Sequence, residues 1–364
     1  MEKRVFNFSP GPAMLPLPAL QEAQRDLLAL PGLGISILEL SHRSKAFQAI
    51  IDEAEANLRK LLGIPANYHV LFMQGGALLQ FGMLPMNFLR NSGKAADYVV
   101  TGSWSRKALD EAKTQGNARV VWDGKSGNYN RVPRAEELQF DRQAAYVYIC
   151  SNETIQGVQY PQEPDTGDVP LVCDSSSDFL CRPVPMEKYG ILFACAQKNA
   201  GPAGVTVVII RDDLLQRAAA DLPSMVNYKV FAEGKSLLNT PPTFAIYMVK
   251  LVTRWLLEEI GGLEKMEQIN KRKAQMLYDV LDQSKGFYEA HAQPGSRSIM
   301  NVPFRLARPE LEEQFLKQAA EHGLCELKGH RSVGGCRASI YNAMPIEGVQ
   351  ALRDFMIDFR NRYG

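Results

Sequence analysis

Between residues 68 and 210, seven short runs rich in β-branched and aromatic side chains alternate with helix-compatible stretches: YHVLFM, DYVVTG, ARVVW, AYVYIC, PLVCD, ILFACA and VTVVII. Strands apolar on both faces need cover on both, and helix-length connections supply it. The rhythm therefore predicts an α/β fold with a mainly parallel seven-stranded sheet under helices. With 364 residues, 46% of them hydrophobic, the chain has material for that sheet and for a second, smaller unit. Past Gly261-Gly262 the pattern changes to amphipathic helices. Met266, Ile269, Met276 and Val280 share one stripe, Leu311, Phe315 and Ala319 a second, and Val349, Leu352, Phe355, Met356 and Phe359 a third. The expected division is an N-terminal arm over 1–15 joining the small domain, a large domain over 16–261 and a small C-terminal α+β domain over 262–364. The Pro-rich residues 10–18 read as extended chain leading into a helix from about 17 to 30.

Charge narrows the possible partners. Against 41 Lys+Arg stand 40 Asp+Glu, a net charge of +1, so no global field draws nucleic acid or a membrane surface, and any anion must be held by a local site. The apolar segment from Phe244 to Leu257 is broken by Lys250 and Arg254, too short and too charged to cross a bilayer. Asn7, Ser9 and three early prolines stand where a secretory signal would carry its apolar stretch, and a cytoplasmic location is expected. The six cysteines show no metal-ligand spacing and the five histidines no HExxH, so reduced, mostly buried thiols and no metal site are expected.

Candidate chemistry gathers where the apolar runs end. In ILFACAQKNAGPAG, Lys198 follows an apolar run and precedes a Gly/Pro turn. An amine facing a cavity there is pushed toward its neutral, nucleophilic form, the form that makes Schiff bases; the plainer reading is a strand-end lysine reaching solvent. Asp174 closes the run PLVCD, and in open parallel sheets ligands bind at the carboxyl ends of strands. A lysine for an aldehyde and a carboxylate for a pyridine nitrogen suit pyridoxal phosphate, although Asp174 could equally close an Asx turn. Gln74-Gly75-Gly76-Ala77-Leu78 lies at a strand-to-helix turn, where backbone amides can cradle a phosphate or merely turn. Trp104, after DYVV, is placed to stack on a planar ring or to serve as core, and Thr154, in SNETIQG, to offer a hydroxyl to a ring oxygen or to a turn.

FNFSPGPAMLP, SHRSKAF, SNETIQG, AQKNAGPAG, NTPPTF and GHRSVGGCRASIYNAMP occur in that order from residue 6 to 345. Together they resemble the phosphoserine aminotransferase family, of the class-V, fold-type-I pyridoxal-phosphate enzymes. The resemblance implies a Schiff base on Lys198, Asp174 on the pyridine nitrogen, Trp104 stacked on the ring, Thr154 on the ring hydroxyl and Gln197 on the cofactor phosphate. It implies a homodimer too, in which Asn239 and Thr240 reach the phosphate of the other subunit. Two positions depart from many relatives. Ala77-Leu78 leaves only backbone amides at the cradle beside Gly76, and Pro10 has no N–H to give to a substrate.

Transamination between L-glutamate and a phosphorylated keto acid needs cations for an α-carboxylate and for a distal anion. Arg337 is expected to fork around the former, and His42, Arg43, His330 and Arg331 to receive the latter. The implied reaction is a ping-pong interconversion of 3-phosphohydroxypyruvate plus glutamate with O-phospho-L-serine plus 2-oxoglutarate, with a possible side activity on a four-carbon phosphorylated keto acid in vitamin B6 synthesis. An alanine- or serine-glyoxylate aminotransferase has little use for the distal cations. A cysteine desulfurase would need a reactive cysteine, Cys336 being the candidate beside Arg337, and a non-catalytic cofactor binder would need no such set of cations at all.

Overall fold

The computed structural model describes residues 4–364. The seven apolar runs form a single sheet of Tyr68–Met73 (β1), Ala95–Val100 (β2), Asn117–Asp123 (β3), Val147–Cys150 (β4), Leu171–Asp174 (β5), Tyr189–Cys195 (β6) and Thr206–Arg211 (β7). Their spatial order is β1-β7-β6-β5-β4-β2-β3. β7 runs antiparallel to both its neighbours, and the other neighbouring pairs are parallel.

Alternation along these strands divides the side chains between two cores, as a sheet buried on both faces requires. Phe72, Ile149, Cys173, Leu192 and Ile209 pack on one side with helices Leu17–Asp26 (α1) and Lys45–Leu62 (α2). Met73, Tyr148, Val172, Phe193 and Val208 pack on the other with Gly76–Phe88 (α3) and Ser103–Lys113 (α4). Thr243–Trp255 (α5) joins the first layer, where Asn57 of α2 donates to Thr253 of α5 at 3.2 Å.

α1 ends earlier than the expected residue 30. Pro31 lies just beyond it, Gly32 and Gly34 take positive φ, and the turn is closed by the Ser36 hydroxyl donating to the Leu27 carbonyl at 2.6 Å. α2 starts where Ser44 caps the Phe47 N–H and stops at Gly63, in the left-handed conformation.

After α5, Gly261 and Gly262 at φ +85° and +106° swing the chain into Leu263–Asp282 (α6). There follow Tyr288–Ala290 (β8), Asn301–Leu306 (β9), Glu312–Glu321 (α7), Cys336–Ser339 (β10) and Ile346–Tyr363 (α8). The three strands pair antiparallel in the order β8-β9-β10. Their separate core holds Phe304, Phe315, Leu352 and Phe359, and the N-terminal segment enters it through Phe8. Phe6–Asn7 pairs in parallel with Leu324–Cys325. No helix of the described residues is long and apolar enough to cross a membrane.

Register positions the chemistry. Cys150 pairs with Asp174, and Asp174 with Phe193, so β4, β5 and β6 end side by side and the loops that follow open on one edge of the sheet.

Candidate active site

A cavity of about 370 Å³ lies at that edge, within the range that small-molecule sites occupy. Twelve of the residues singled out in the sequence line it: Pro10, Gly75, Gly76, Ala77, Leu78, Trp104, Thr154, Asp174, Gln197, Lys198, His330 and Arg337. A larger cavity of about 680 Å³, between the segments 131–138 and 160–165, contains none of them, and its Arg131 is already forked onto Glu137. Size alone would mislead here; the chemistry is in the smaller cavity.

Lys198 is carried on one helical turn, Ala196–Asn199, that follows β6 directly. Gly201 closes this turn against α5, where a Cβ would lie 3.2 Å from Val249 Cγ2. The lysine is half-buried. Its Nζ donates to Thr154 Oγ1 at 2.6 Å and lies 5.3 Å from the Trp104 ring centroid. Gly11 of the N-terminal arm covers the stem, since a Cβ there would sit 3.2 Å from Lys198 Cγ.

Asp174 is buried and lines the cavity. Its Oδ1 accepts from the Ser176 N–H at 2.9 Å, an Asx-type turn, and from the Ser176 hydroxyl at 2.6 Å. Among the described residues Oδ2 has no partner and remains for the cavity. Burial pushes the carboxyl up from its ordinary value, and the Lys198 charge and the Ser176 donors pull it back.

The cradle is more engaged than the sequence suggested. Gly75 and Gly76 take φ of +84° and +64°, and a Cβ on Gly75 would meet Leu79 at 2.5 Å. The Ala77 N–H points at Cys195 Sγ at 2.9 Å, so an arriving phosphate must draw it from a weak sulfur acceptor. Leu78 is exposed at the mouth.

Arg337, on β10, is 5% exposed. Its Nη1 donates to the Thr154 carbonyl at 3.3 Å and its Nε is buried without a partner. Burial lowers its pKa, and no carboxylate among the described residues pairs with it. His330 sits on the turn before β10 with Nδ1 beside the Ser332 hydroxyl at 2.7 Å. Burial lowers its pKa, and so do the charges of Arg337, Arg331 and Lys107.

Five expected residues are not brought to the cavity by a single chain. His42 and Arg43 precede the Ser44 cap of α2, with His42 buried and its Nε2 unpartnered, and Arg43 exposed. The packing of α2 on α5 holds them away from the His330 of their own chain's cavity. Arg331 is exposed on its turn. Asn239 and Thr240 lie outside as well, the Thr240 carbonyl accepting from Gln74 Nε2 at 3.3 Å. The sequence reading in turn missed Ser176 under Asp174, Cys195 under the cradle and Glu153 behind Trp104. Each lies within or beside a motif already noted, but nothing local marks its partner.

The residues fit a flat, phosphorylated pyridine aldehyde. Lys198 can take the aldehyde, Asp174 Oδ2 the ring nitrogen and Trp104 the ring face, with its buried Nε1 still lacking a partner. This is the site of a pyridoxal-phosphate-dependent aminotransferase. Residues 5–352 match the model of the class-V aminotransferase family, and the chain belongs to that family. It is 56% identical over 361 residues to the phosphoserine aminotransferase of Rhodopirellula baltica, covering 99% of this chain and 96% of that one. The solved phosphoserine aminotransferase from Bacillus circulans subsp. alkalophilus superimposes with a TM-score of 0.97 at 50% identity over the whole of both chains. A pyridoxal-phosphate-bound phosphoserine aminotransferase from Trichomonas vaginalis does so at 0.92 and 41% identity, covering 97% of this chain and all of that one. Within class V the chain thus falls among the phosphoserine aminotransferases, and its cofactor is pyridoxal 5'-phosphate.

Proposed function

We propose that the chain transfers the amino group of L-glutamate to 3-phosphohydroxypyruvate, yielding 2-oxoglutarate and O-phospho-L-serine, in a step of L-serine synthesis. The observation that carries this is a single cavity lined both by the cofactor residues and by Arg337, which has no carboxylate partner among the described residues, together with His330. Bound there, pyridoxal phosphate supplies an aldehyde for the amine and a ring that accepts the electron pair released at the substrate α-carbon.

The chain's own residues account for the rest. Asp174 Oδ2 holds the proton on the ring nitrogen. Trp104 covers the ring and excludes water from one face. Thr154 Oγ1 accepts from Lys198 Nζ and orients it; Lys198 anchors the cofactor and, when free, moves the proton at the substrate α-carbon. Arg337 forks the α-carboxylate that both amino acids share, so the two half-reactions use one seat in turn. Gln197 and the amides of Gly76, Ala77 and Leu78 serve the cofactor phosphate at the cradle.

The distal cations complete the reading as a homodimer. His42, Arg43, Asn239 and Thr240, which do not line their own cavity, would reach that of a second copy and add to His330 and Arg331. An apolar stretch supports such a contact: Leu28 is 89% exposed and Leu38 59%, with Leu33 and Ile35 also open. The arm over 1–15, the large domain over 16–261 and the small domain over 262–364 belong to the same proposal. So does a cytoplasmic location, where the six free thiols, five of them buried, stay reduced. Cys336 is wholly buried on β10 with its thiol pushed up, which is unsuited to a mobile sulfur carrier.

Half-reactions test the proposal directly. O-phospho-L-serine and L-glutamate should convert the cofactor to its amine form far faster than L-serine or L-alanine do. Equal rates for all four would remove the phosphate pocket. A four-carbon phosphorylated keto acid added to the amine form of the holoenzyme should return the cofactor to its aldehyde form, which reads the vitamin B6 side activity.

A further inference from the structure

Behind the cavity wall lies a carboxylate that the mechanism above does not use. Glu153 is completely buried, one residue before Thr154. Its Oε2 accepts from the Trp104 backbone N–H at 2.9 Å. Its Oε1 accepts from the Ser105 N–H at 2.9 Å and the Ser105 hydroxyl at 2.6 Å. All three groups can donate to a carboxylate and so favour its anion, against burial and the nearby Asp174, which together leave its pKa above the ordinary value.

Trp104 and Ser105 open α4, where free N–H groups and the helix dipole both favour a negative charge. The residue before the helix, Gly102, cannot cap them with a side chain. Nor could another residue stand there, because a Cβ would lie 2.5 Å from Glu153 Cδ. A second stitch joins the same segments: Gln156 Oε1 accepts from the Ser103 N–H at 3.3 Å, and Gln156 Nε2 donates to the Ser103 hydroxyl at 2.8 Å.

The first turn of α4 is therefore bolted to the segment whose next residue touches the reacting groups. Thr154 meets Lys198 through its hydroxyl and Arg337 through its carbonyl. We infer that Glu153 is a positioning residue of this site: its carboxylate fixes the Trp104 ring relative to Lys198 and Thr154, and so sets how that ring meets the cofactor. The inference rests on the reading above that Trp104 covers the cofactor ring. Both oxygens are needed. In Glu153→Gln one of them becomes an NH2 that faces an N–H.

The test uses the holoenzyme with Trp122→Phe and Trp255→Phe, which leaves Trp104 as the sole indole of the three in the chain. Emission of Trp104, the absorption maximum of the bound cofactor and the rate of cofactor loss on dilution are compared with and without Glu153→Gln. Expected are a shifted absorption maximum, weaker quenching of Trp104 and cofactor loss faster by about tenfold, the equivalent of losing one to two hydrogen bonds at the site. Ser105→Ala, which keeps the carboxylate and removes one of its three donors, should move all three readouts the same way and less; it carries the test alone if Glu153→Gln does not fold. A lowered melting temperature with all three readouts unchanged would make Glu153 merely structural and overturn the inference. Trp104→Ala, made in the chain with its other two tryptophans restored, separates the two levels by absorption and cofactor loss. No change there refutes the reading of Trp104 itself, whereas a change there with none in Glu153→Gln refutes only the role of Glu153.

Discussion

Replacing Arg337 by lysine keeps the charge and removes the fork, which isolates what the geometry contributes. With Nη1 committed to the Thr154 carbonyl, Nε and Nη2 remain for a carboxylate, and Nε is buried with nothing to bond. An incoming carboxylate then gains two charge-assisted hydrogen bonds, each worth about 1.5–3 kcal/mol. Lysine offers one point contact and loses about 2 kcal/mol, a fall of about 30-fold in kcat/KM. Alanine loses both bonds, about 4 kcal/mol or about a thousandfold. Because glutamate and O-phospho-L-serine carry the same α-carboxylate, both half-reactions should fall by similar factors. Stopped-flow absorbance of the cofactor, with each amino acid in turn, reads the two losses separately. A loss confined to O-phospho-L-serine would mean that Arg337 holds the phosphate, and a loss below about threefold with both substrates, under 1 kcal/mol, would refute the fork.

Lys198→Ala should abolish turnover, and borohydride should no longer fix the cofactor to the chain; wild-type turnover in that variant would remove the lysine from the mechanism. If sites are shared, mixing Lys198→Ala chains with Arg43→Ala chains should restore about a quarter of wild-type activity, since half the dimers are mixed and each has one intact site. No recovery after verified exchange of subunits would place Arg43 outside the partner's site. Lys273, fully buried on α6, donates to the carbonyls of Ile340, Tyr341 and Met344, and burial pulls it from the ordinary 10.5 down to about 7. Below pH 7 both folded and unfolded chains hold its proton. Between 7 and 10.5 only the unfolded chain does, so this group makes stability rise with pH, by up to about 1.4 kcal/mol per unit. Urea unfolding at pH 7 and 9 should show that rise in the wild type and a smaller one in Lys273→Met; identical slopes would refute the shift.

Much of this was legible because it is written in local pattern. The doubly apolar runs became the seven strands, and the stripes after Gly262 became α6, α7 and α8, since burial of a face leaves its period in the chain. Lys198 and Asp174 were visible as polar residues at the ends of apolar runs. α1 ends at Asp26, short of residue 30, although apolar Leu27, Leu28 and Leu30 carry the pattern on until Pro31 and the two glycines turn the backbone.

Local pattern along the chain is enough to specify the sheet, the helices over it and the kinds of side chain waiting at the strand ends. Which of them meet depends on how the elements pack. SHRSK and GHRS read alike, each a His-Arg pair in a polar turn, yet His330 enters its own chain's cavity and His42 does not. Nothing in the chemistry of either pair distinguishes them. The difference lies in what their neighbours are bonded to, since α2 packs on α5 while the His330 turn is tied to β10. Glu153 carries the same lesson: a carboxylate in a loop has no assigned partner until the strand order β4-β2 brings the start of α4 beside it, 48 residues away in sequence. Periodicity is a property of short segments, whereas an active site is a set of coincidences between distant ones, and those are fixed by the order and register in which the strands pair.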